Sequence, residues 1–298
     1  MRPPPKSGSA IKEMMNVGCR RSLTQTEMEE KSKQLRKKIL TMLYQAGSGH
    51  SGGSLSCIDI LSVLYNQIMK HDPQEPNWPE RDRFILSKGH VCPALYAVLA
   101  DCGYFDPKAL ATLRKYGSIL QGHPYMHKTP GVEVSSGSLG QGLSIAAGIA
   151  LGAKMDGEPY RVYCLLGDGE TQEGQVWEAA MAASHYQLDN LCAVVDYNGL
   201  QIDGKVEEVM NINPYNAKWA GFGWNVTEVD GHDLSGLEKA FGAARTTLDR
   251  PTVLIAHTVK GKGVSFMENN PGWHGIAPDA EQLASALKEL EACRSEVQ

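Results

Sequence analysis

A doubly wound α/β fold, with a mostly parallel sheet flanked by helices, is what this sequence predicts, and three observations carry the expectation. Apolar runs that read as buried strands recur at Val162-Tyr163-Cys164-Leu165-Leu166, Leu191-Cys192-Ala193-Val194-Val195 and Thr252-Val253-Leu254-Ile255-Ala256. Segments with helical spacing alternate with them. Glycine-bearing loops, Gly167-Asp168-Gly169 and Asn198-Gly199-Leu200, follow the first two runs, at the sheet edge where such folds bind ligands.

The elements follow in order. Residues 1–22 form a Pro/Gly/Ser-rich basic segment, expected to be a mobile tail, and residues 23–298 form a single domain. A helix is expected over 26–45, with Leu35, Ile39, Met42 and Leu43 on one face. The stretch 47–53 is too rich in glycine for regular structure, and a helical run follows over 55–69. The proline-bearing loop 72–82 leads to a short strand over 83–87, and helices are expected over 94–102 and 110–116. After Gly137-Ser138-Leu139-Gly140-Gln141-Gly142 comes a small-residue helix, 143–155, whose Gly and Ala content implies close packing against another backbone. An alanine-rich helix over 175–186 joins the two central strands. A strand over 223–229, a helix over 236–247, a last strand over 251–257 and a charged helix from Asp279 complete the pattern, so that 261–298 is a site loop plus a terminal helix.

Composition narrows the function classes. The chain has 298 residues, 42% hydrophobic and 21% charged, with a net charge of −5, which argues against nucleic acid or an anionic membrane as its principal partner. No apolar run approaches the length of a membrane span, and the first ten residues lack the apolar centre of a secretory signal. The seven cysteines include no CxxC pair and read as buried thiols of a reduced, cytoplasmic protein.

The strand–helix–strand spacing places Asp168 and Asn198 side by side at the carboxyl ends of two neighbouring strands. One carboxylate, one amide oxygen and a main-chain carbonyl suit a small hard cation that also holds a phosphate. Glycines on both sides of Asp168 allow the main chain to approach that phosphate. Either dipeptide alone would be an ordinary turn; the joint pattern points to a metal–diphosphate site. Five of the nine histidines, His50, His90, His123, His232 and His274, lie beside glycines in loops, where imidazoles can serve phosphates, hydroxyls and protons. His232, in Val229-Asp230-Gly231-His232-Asp233, reads equally well as part of a turn and helix cap.

These residues resemble the amino-terminal, diphosphate-binding half of a transketolase. The resemblance rests on Ser48-Gly49-His50, Ser87-Lys88-Gly89-His90, Gly122-His123-Pro124, the Gly137-to-Gly142 loop, Gly167-Asp168-Gly169-Glu170 with Glu173-Gly174, Asp196 to Asp203, Lys260-Gly261-Lys262-Gly263 and Trp273-His274-Gly275. It implies thiamine diphosphate with Mg2+ (or Ca2+ or Mn2+) held by Asp168, Asn198 and the carbonyl of Leu200. Gly169 and Lys260 would serve the diphosphate with His90 and His274 nearby, Gly137, Ser138 and Leu139 the aminopyrimidine edge, and Ile202 the rings. His50, His123 and His274 would handle the hydroxyls and protons of a sugar phosphate, with Glu173 and Glu178 toward a subunit interface. At Ser51-Gly52-Gly53 the chain departs from full-length transketolases, many of which place a proline there.

The family also needs a pyrimidine-binding domain, and the sequence after Gly275 is too short to supply one. The resemblance therefore implies a separate partner chain carrying the pyrimidine and C-terminal domains, as an α2β2 assembly that transfers a two-carbon ketol unit from a ketose to an aldose. Two alternatives stand beside it: another thiamine-diphosphate sugar ketolase or synthase, similar to deoxyxylulose-phosphate synthase, and a non-catalytic homologue.

Overall fold

Five parallel strands stand at the centre of the structure, a computed structural model that describes residues 23–292. The expected tail, 1–22, lies outside the described residues. The strands β1 (Arg83–Leu86), β2 (Val162–Gly167), β3 (Leu191–Tyr197), β7 (Thr252–His257) and β6 (Asn225–Asp230) lie side by side in that order. A two-stranded hairpin, β4 (Leu200–Gln201) with β5 (Gly204–Lys205), stands apart. The three central strands are buried on both faces, as their unbroken apolar runs require.

Alternate side chains on each strand feed two cores. Phe84, Leu86, Tyr163, Leu165, Val194 and Leu254 face helices α1 (Gln25–Ala46), α2 (Ser51–Val63), α3 (Cys92–Cys102), α8 (Leu234–Thr246) and α9 (Ala280–Ala292). Ile85, Cys164, Leu166, Ala193, Val195 and Val253 face α4 (Gly142–Asp156), α5 (Gly174–His185) and α7 (Tyr215–Gly221). Helix α1 starts on a capping box, in which Thr24 and Glu27 satisfy each other's backbone N–H groups, and stops at Gly47 with φ 62°. Because α5 crosses between β2 and β3 in parallel, Gly167 lies opposite Asp196, and the loops after both strands emerge on one edge. Strand β7 fills the place between β3 and the edge strand β6, which brings the segment after His257 to the same edge.

Three expectations change. Ser51, Gly52 and Gly53 are the first turn of α2, not loop, because they are buried where other chain segments press close. A Cβ on Gly52 would lie 3.0 Å from Lys260 Cγ and from the Trp273 carbonyl, and one on Gly53 2.8 Å from Val91. The helix expected over 110–116 is a 3-10 turn, Pro107–Thr112, after which Arg114 takes φ 61° and turns the chain back. Gly148 and Gly152 of α4 meet nothing within 4 Å, so only the alanine face of that helix packs within the chain. The hairpin, α6 (Val206–Val209) and α7 escape a sequence reading because they are too short to show a period; burial of Tyr215 and Trp219 fixes α7.

Gly142 opens α4 directly against the loop after β1, and a Cβ there would collide with the side chain of Ser87 and come within 2.7 Å of its Cα. Gly142→Ala is expected to destabilise the chain by about 1–3 kcal/mol through overpacking. Thermal unfolding followed by circular dichroism checks this, and an unchanged midpoint would show that the loop yields freely.

Candidate active site

A cavity of about 340 Å³ opens at the carboxyl ends of β2, β3 and β7. Asp168 lies at its floor, 2% exposed. One carboxylate oxygen accepts from the N–H of Gly169 at 2.8 Å, the other from that of Gly199 at 2.5 Å, which ties the loop after β2 to the loop after β3. Burial, with the Asp196 charge behind it, pushes the Asp168 carboxyl up to about 6. A buried carboxylate in that state is poised for a cation. Asn198 Oδ1 accepts from Leu200 N at 3.1 Å, and the Leu200 carbonyl accepts from Lys260 Nζ at 3.1 Å. The three expected metal ligands thus share one loop pair. Among the described residues no three His, Cys, Asp or Glu side chains gather as a metal site, so a cation here would rely on the neutral oxygens beside Asp168.

Opposite Asp168, Lys260 is 2% exposed and donates to His274 Nδ1 at 2.8 Å. Burial and the nearby Lys88 charge lower its ammonium to about 8. His50, His90 and His274 form a trio with ring centres 4.9, 5.3 and 5.5 Å apart. Burial leads in holding all three neutral: His50 near 4 with help from Arg114 and His123, His274 near 3 with help from Lys260, His90 near 2 with help from Lys88. His50 Nδ1 is buried and makes no hydrogen bond among the described residues, an orphan that a bound group would satisfy. Two buried ammonium groups and an orphaned imidazole nitrogen face a buried acid with a raised pKa, and that donor set fits a diphosphate held by a cation.

Gly137, Leu139, Gly169, Glu173 and Ile202 also line the cavity. Ser138 lies within the same loop. Ile202 is 68% exposed at the rim, free to pack on a ring. His123 is exposed, outside the cavity wall, and its ring lies 3.4 Å from where a Gly137 Cβ would stand. Glu178 is exposed on α5, away from the cavity lining. His232 belongs elsewhere: its ring joins Asp59 and the N–H of Val259, both at 2.8 Å, while Arg36 pairs with the same carboxylate at 2.6 Å. This triad lines a separate cavity of about 600 Å³ bordered by α1.

Three residues that support the site were not singled out from the sequence. Asp196, fully buried, pairs with Lys88 and accepts from Ser56 and Thr258 hydroxyls. Burial would raise the Asp196 carboxyl, and Lys88 reverses this; burial would lower the Lys88 ammonium, and Asp196 reverses that. Glu170, 3% exposed, accepts from Ser87 and from the N–H groups of Gly140 and Gly167 at 2.9 Å, fixing the 137–142 loop to the strand edge. All three sit inside motifs that carry the family resemblance, but no sequence pattern shows that a charge is buried.

Residues 29–292 match the family described as transketolase, thiamine diphosphate binding domain. The chain is 45% identical over 263 residues, 88% of its length, to one of the subunits of apulose-4-phosphate transketolase from Phocaeicola vulgatus, covering 93% of that protein. It is 44% identical to the 6-deoxy-6-sulfo-D-fructose transketolase subunit SqwG of a Clostridium species, covering 90% of the chain and 97% of that protein. The crystal structure of Campylobacter jejuni transketolase superposes with a TM-score of 0.85 at 33% identity, over 90% of this chain and 43% of that one. The chain therefore spans less than half the length of that solved transketolase.

Lys88→Met leaves the buried Asp196 carboxylate without its counter-charge and is expected to destabilise the fold by about 3–5 kcal/mol. Urea unfolding measures it, and a loss below about 1 kcal/mol would mean that the ion pair is dispensable. His50 should titrate near 4, against 6.5 when unfolded, so between those values the unfolded chain binds more protons. Its contribution to stability is complete above pH 6.5 and is lost as pH falls toward 4. NMR of the His50 ring would show this; a midpoint near 6.5 would remove the claim.

Proposed function

The chain belongs to the transketolase family of thiamine-diphosphate-binding domains, and we propose that it is the diphosphate-binding subunit of a two-chain transketolase. One observation carries the reading: the Asp168–Asn198–Leu200 loop pair faces Lys260 and His274 across one cavity, with His50 Nδ1 unsatisfied beside them. In this reading Asp168, Asn198 and the Leu200 carbonyl hold Mg2+ (or Ca2+ or Mn2+), and Lys260, His90, His274 and the N–H of Gly169 hold the diphosphate. Gly137, Ser138 and Leu139 orient the aminopyrimidine through main-chain groups, and Ile202 covers the rings. When bound, thiamine diphosphate supplies the carbanion that attacks a ketose carbonyl.

The chain's own residues supply orientation and proton handling. His50 and His274 enter the site as neutral imidazoles, able to accept a proton from a sugar hydroxyl and return it. His123, at the outer side, completes the hydroxyl-binding set. Glu173, exposed at the rim, points the reading toward an interface with another chain. The reaction is transfer of a two-carbon ketol unit between a ketose and an aldose, with phosphorylated sugars as the substrate class.

The separate partner chain is supported by relatives named as single subunits, which this chain spans almost end to end, whereas it covers 42% of human transketolase. That partner would bring the pyrimidine and C-terminal domains. Ile145, Gly148 and Met155 on α4, Met181 on the adjoining α5 and Tyr186 just after it are exposed, apolar surface suited to a second copy in an α2β2 assembly. The five described cysteines are buried and free, in keeping with a reduced cytoplasmic setting, and no helix among the described residues is long and apolar enough to cross a membrane.

Asp168→Ala is expected to abolish Mg2+-dependent retention of thiamine diphosphate, measured by calorimetry, because it removes the anionic metal ligand; unchanged retention refutes the assignment. The chain alone should not turn over xylulose 5-phosphate with ribose 5-phosphate at any cofactor concentration. Activity should appear on adding its pyrimidine-domain partner, and turnover without one would overturn the two-chain reading.

A further inference from the structure

Lys260 is a buried ammonium that forms no ion pair among the described residues; its Nζ donates to the Leu200 carbonyl at 3.1 Å and to His274 Nδ1 at 2.8 Å. A lysine has a flexible four-carbon stem and a strongly hydrated head, so two neutral acceptors alone give it little reason to stay inside. Its place must be set by the backbone that carries it. That backbone, 258–263, has left the sheet after His257 and forms a wall between two cavities. Lys260 lines the one of about 340 Å³, and Lys262 and Gly263 line the one of about 600 Å³.

On the far side of the wall one carboxylate holds both shoulders of the Lys260 turn. Asp59, 4% exposed on α2, accepts from Arg36 Nη1 at 2.9 Å and Nη2 at 2.6 Å, and His232 Nδ1 lies 2.8 Å from it. His232 Nε2 accepts from the Val259 N–H at 2.8 Å, and Arg36 Nε donates to the Lys262 carbonyl at 3.1 Å. A backbone N–H can only donate, so Nε2 carries no proton and the ring's N–H is on Nδ1, directed at Asp59. Burial would raise the Asp59 carboxyl, but Arg36 and His232 hold it well below the usual carboxylate range, a fixed charge behind both contacts. Gly231 lets the ring come this close: a Cβ there would collide with the Thr258 side chain and lie 3.1 Å from the His257 carbonyl oxygen.

We propose that His232 is a positioning residue for Lys260: its Nε2, oriented by Asp59 and Arg36, fixes the Val259 N–H and with it the point at which the Lys260 ammonium enters the site. The His232 ring lines the other cavity, so it acts on the ammonium only through the main chain. Arg36 holds the opposite shoulder at the Lys262 carbonyl, and the Gly261 N–H, between the two, donates to the Gly52 carbonyl at 3.0 Å. Loss of the Nε2 acceptor leaves the Val259 N–H unpaired and frees one end of the turn, and the lysine then gains hydration by swinging outward. The consequence for diphosphate binding rests on the reading of the cavity as a cofactor site; the positioning itself does not.

Two substitutions separate this role from packing. In His232→Gln an amide oxygen reaches about as far as Nε2, whereas in His232→Asn the amide reaches only the Nδ1 position, where it keeps a donor for Asp59 but leaves Val259 unpaired. Calorimetry with thiamine diphosphate and Mg2+ is expected to show binding weakened about tenfold in His232→Asn and about threefold or less in His232→Gln. In a Lys260→Met background the His232→Asn change should alter binding by less than about twofold, because the two residues act through one contact. Nitrogen NMR of the chain without cofactor gives the second readout: His232 unprotonated at Nε2, and a His274 Nδ1 signal that moves in His232→Asn and holds in His232→Gln. Equal losses in the two variants, an undiminished loss in the Lys260→Met background, or a proton on His232 Nε2 overturns the proposal. If the unaltered chain binds no thiamine diphosphate while the His274 signal still follows residue 232 in this way, the cofactor reading fails and the positioning role stands.

Discussion

Asp196 accepts from the Lys88 ammonium, the Ser56 hydroxyl and the Thr258 hydroxyl, and those three groups come from the loop after β1, from α2 and from the segment after β7. A carboxylate with no exposure is tolerable only when each lone-pair direction finds a donor, so the four segments must meet in one arrangement. Lys88 leads into Gly89 and His90; Thr258 leads into Lys260; Ser56 lies one helical turn from Gly52, against which Lys260 packs. The site's cationic wall is therefore positioned by a charge that never reaches the cavity. Glu170 does the corresponding work on the other wall, where it gathers Ser87 and two glycine N–H groups and fixes the 137–142 loop.

Lys88 is matched by Asp196, so the charge left unmet at the cavity is that of Lys260 on one side and Asp168 on the other. The three imidazoles lose their protons well below the usual range, first because they are buried and then because the neighbouring ammonium groups disfavour further positive charge. Asp168 is driven the opposite way by burial and by Asp196. A diphosphate held together with a divalent cation would answer both imbalances, the cation at Asp168 and the anion at Lys260. A neutral imidazole can accept a proton from a hydroxyl, which a protonated one cannot.

Much of this was legible in the sequence, and the reason is geometric. Two apolar runs joined by one helix leave little choice but parallel neighbours, so Asp168 and Asn198 had to emerge on one edge, and the strand–GDG–helix–strand–NxL order carried that through. The glycine-flanked histidines were visible as a set, and His50, His90 and His274 do converge. His232 showed the same flanking pattern, yet its ring is taken up by Asp59, a partner 173 positions away that local reading cannot see. Gly52 and Gly53 were misplaced because glycine signals both a loop and a close approach, and only tertiary contact with Lys260 and Val91 tells them apart. Lys88, Asp196 and Glu170 look like surface charges until their burial is known.

The depth of each group along the cavity gives the site a direction. Asp168 and Lys260 lie at the floor, the histidine trio is half-buried, and His123 and Arg114 stand in solvent. A long ligand must therefore present its most strongly charged end inward and its least demanding end outward, because only the floor can offset the loss of hydration of a polyanion. Above the floor the wall is one of uncharged imidazoles. Ile145 and Met155 of α4 and Met181 of α5 are exposed on the opposite side of the sheet from α1 and α2, so that surface is separated by the sheet's core from the cationic wall that the Asp196 junction positions.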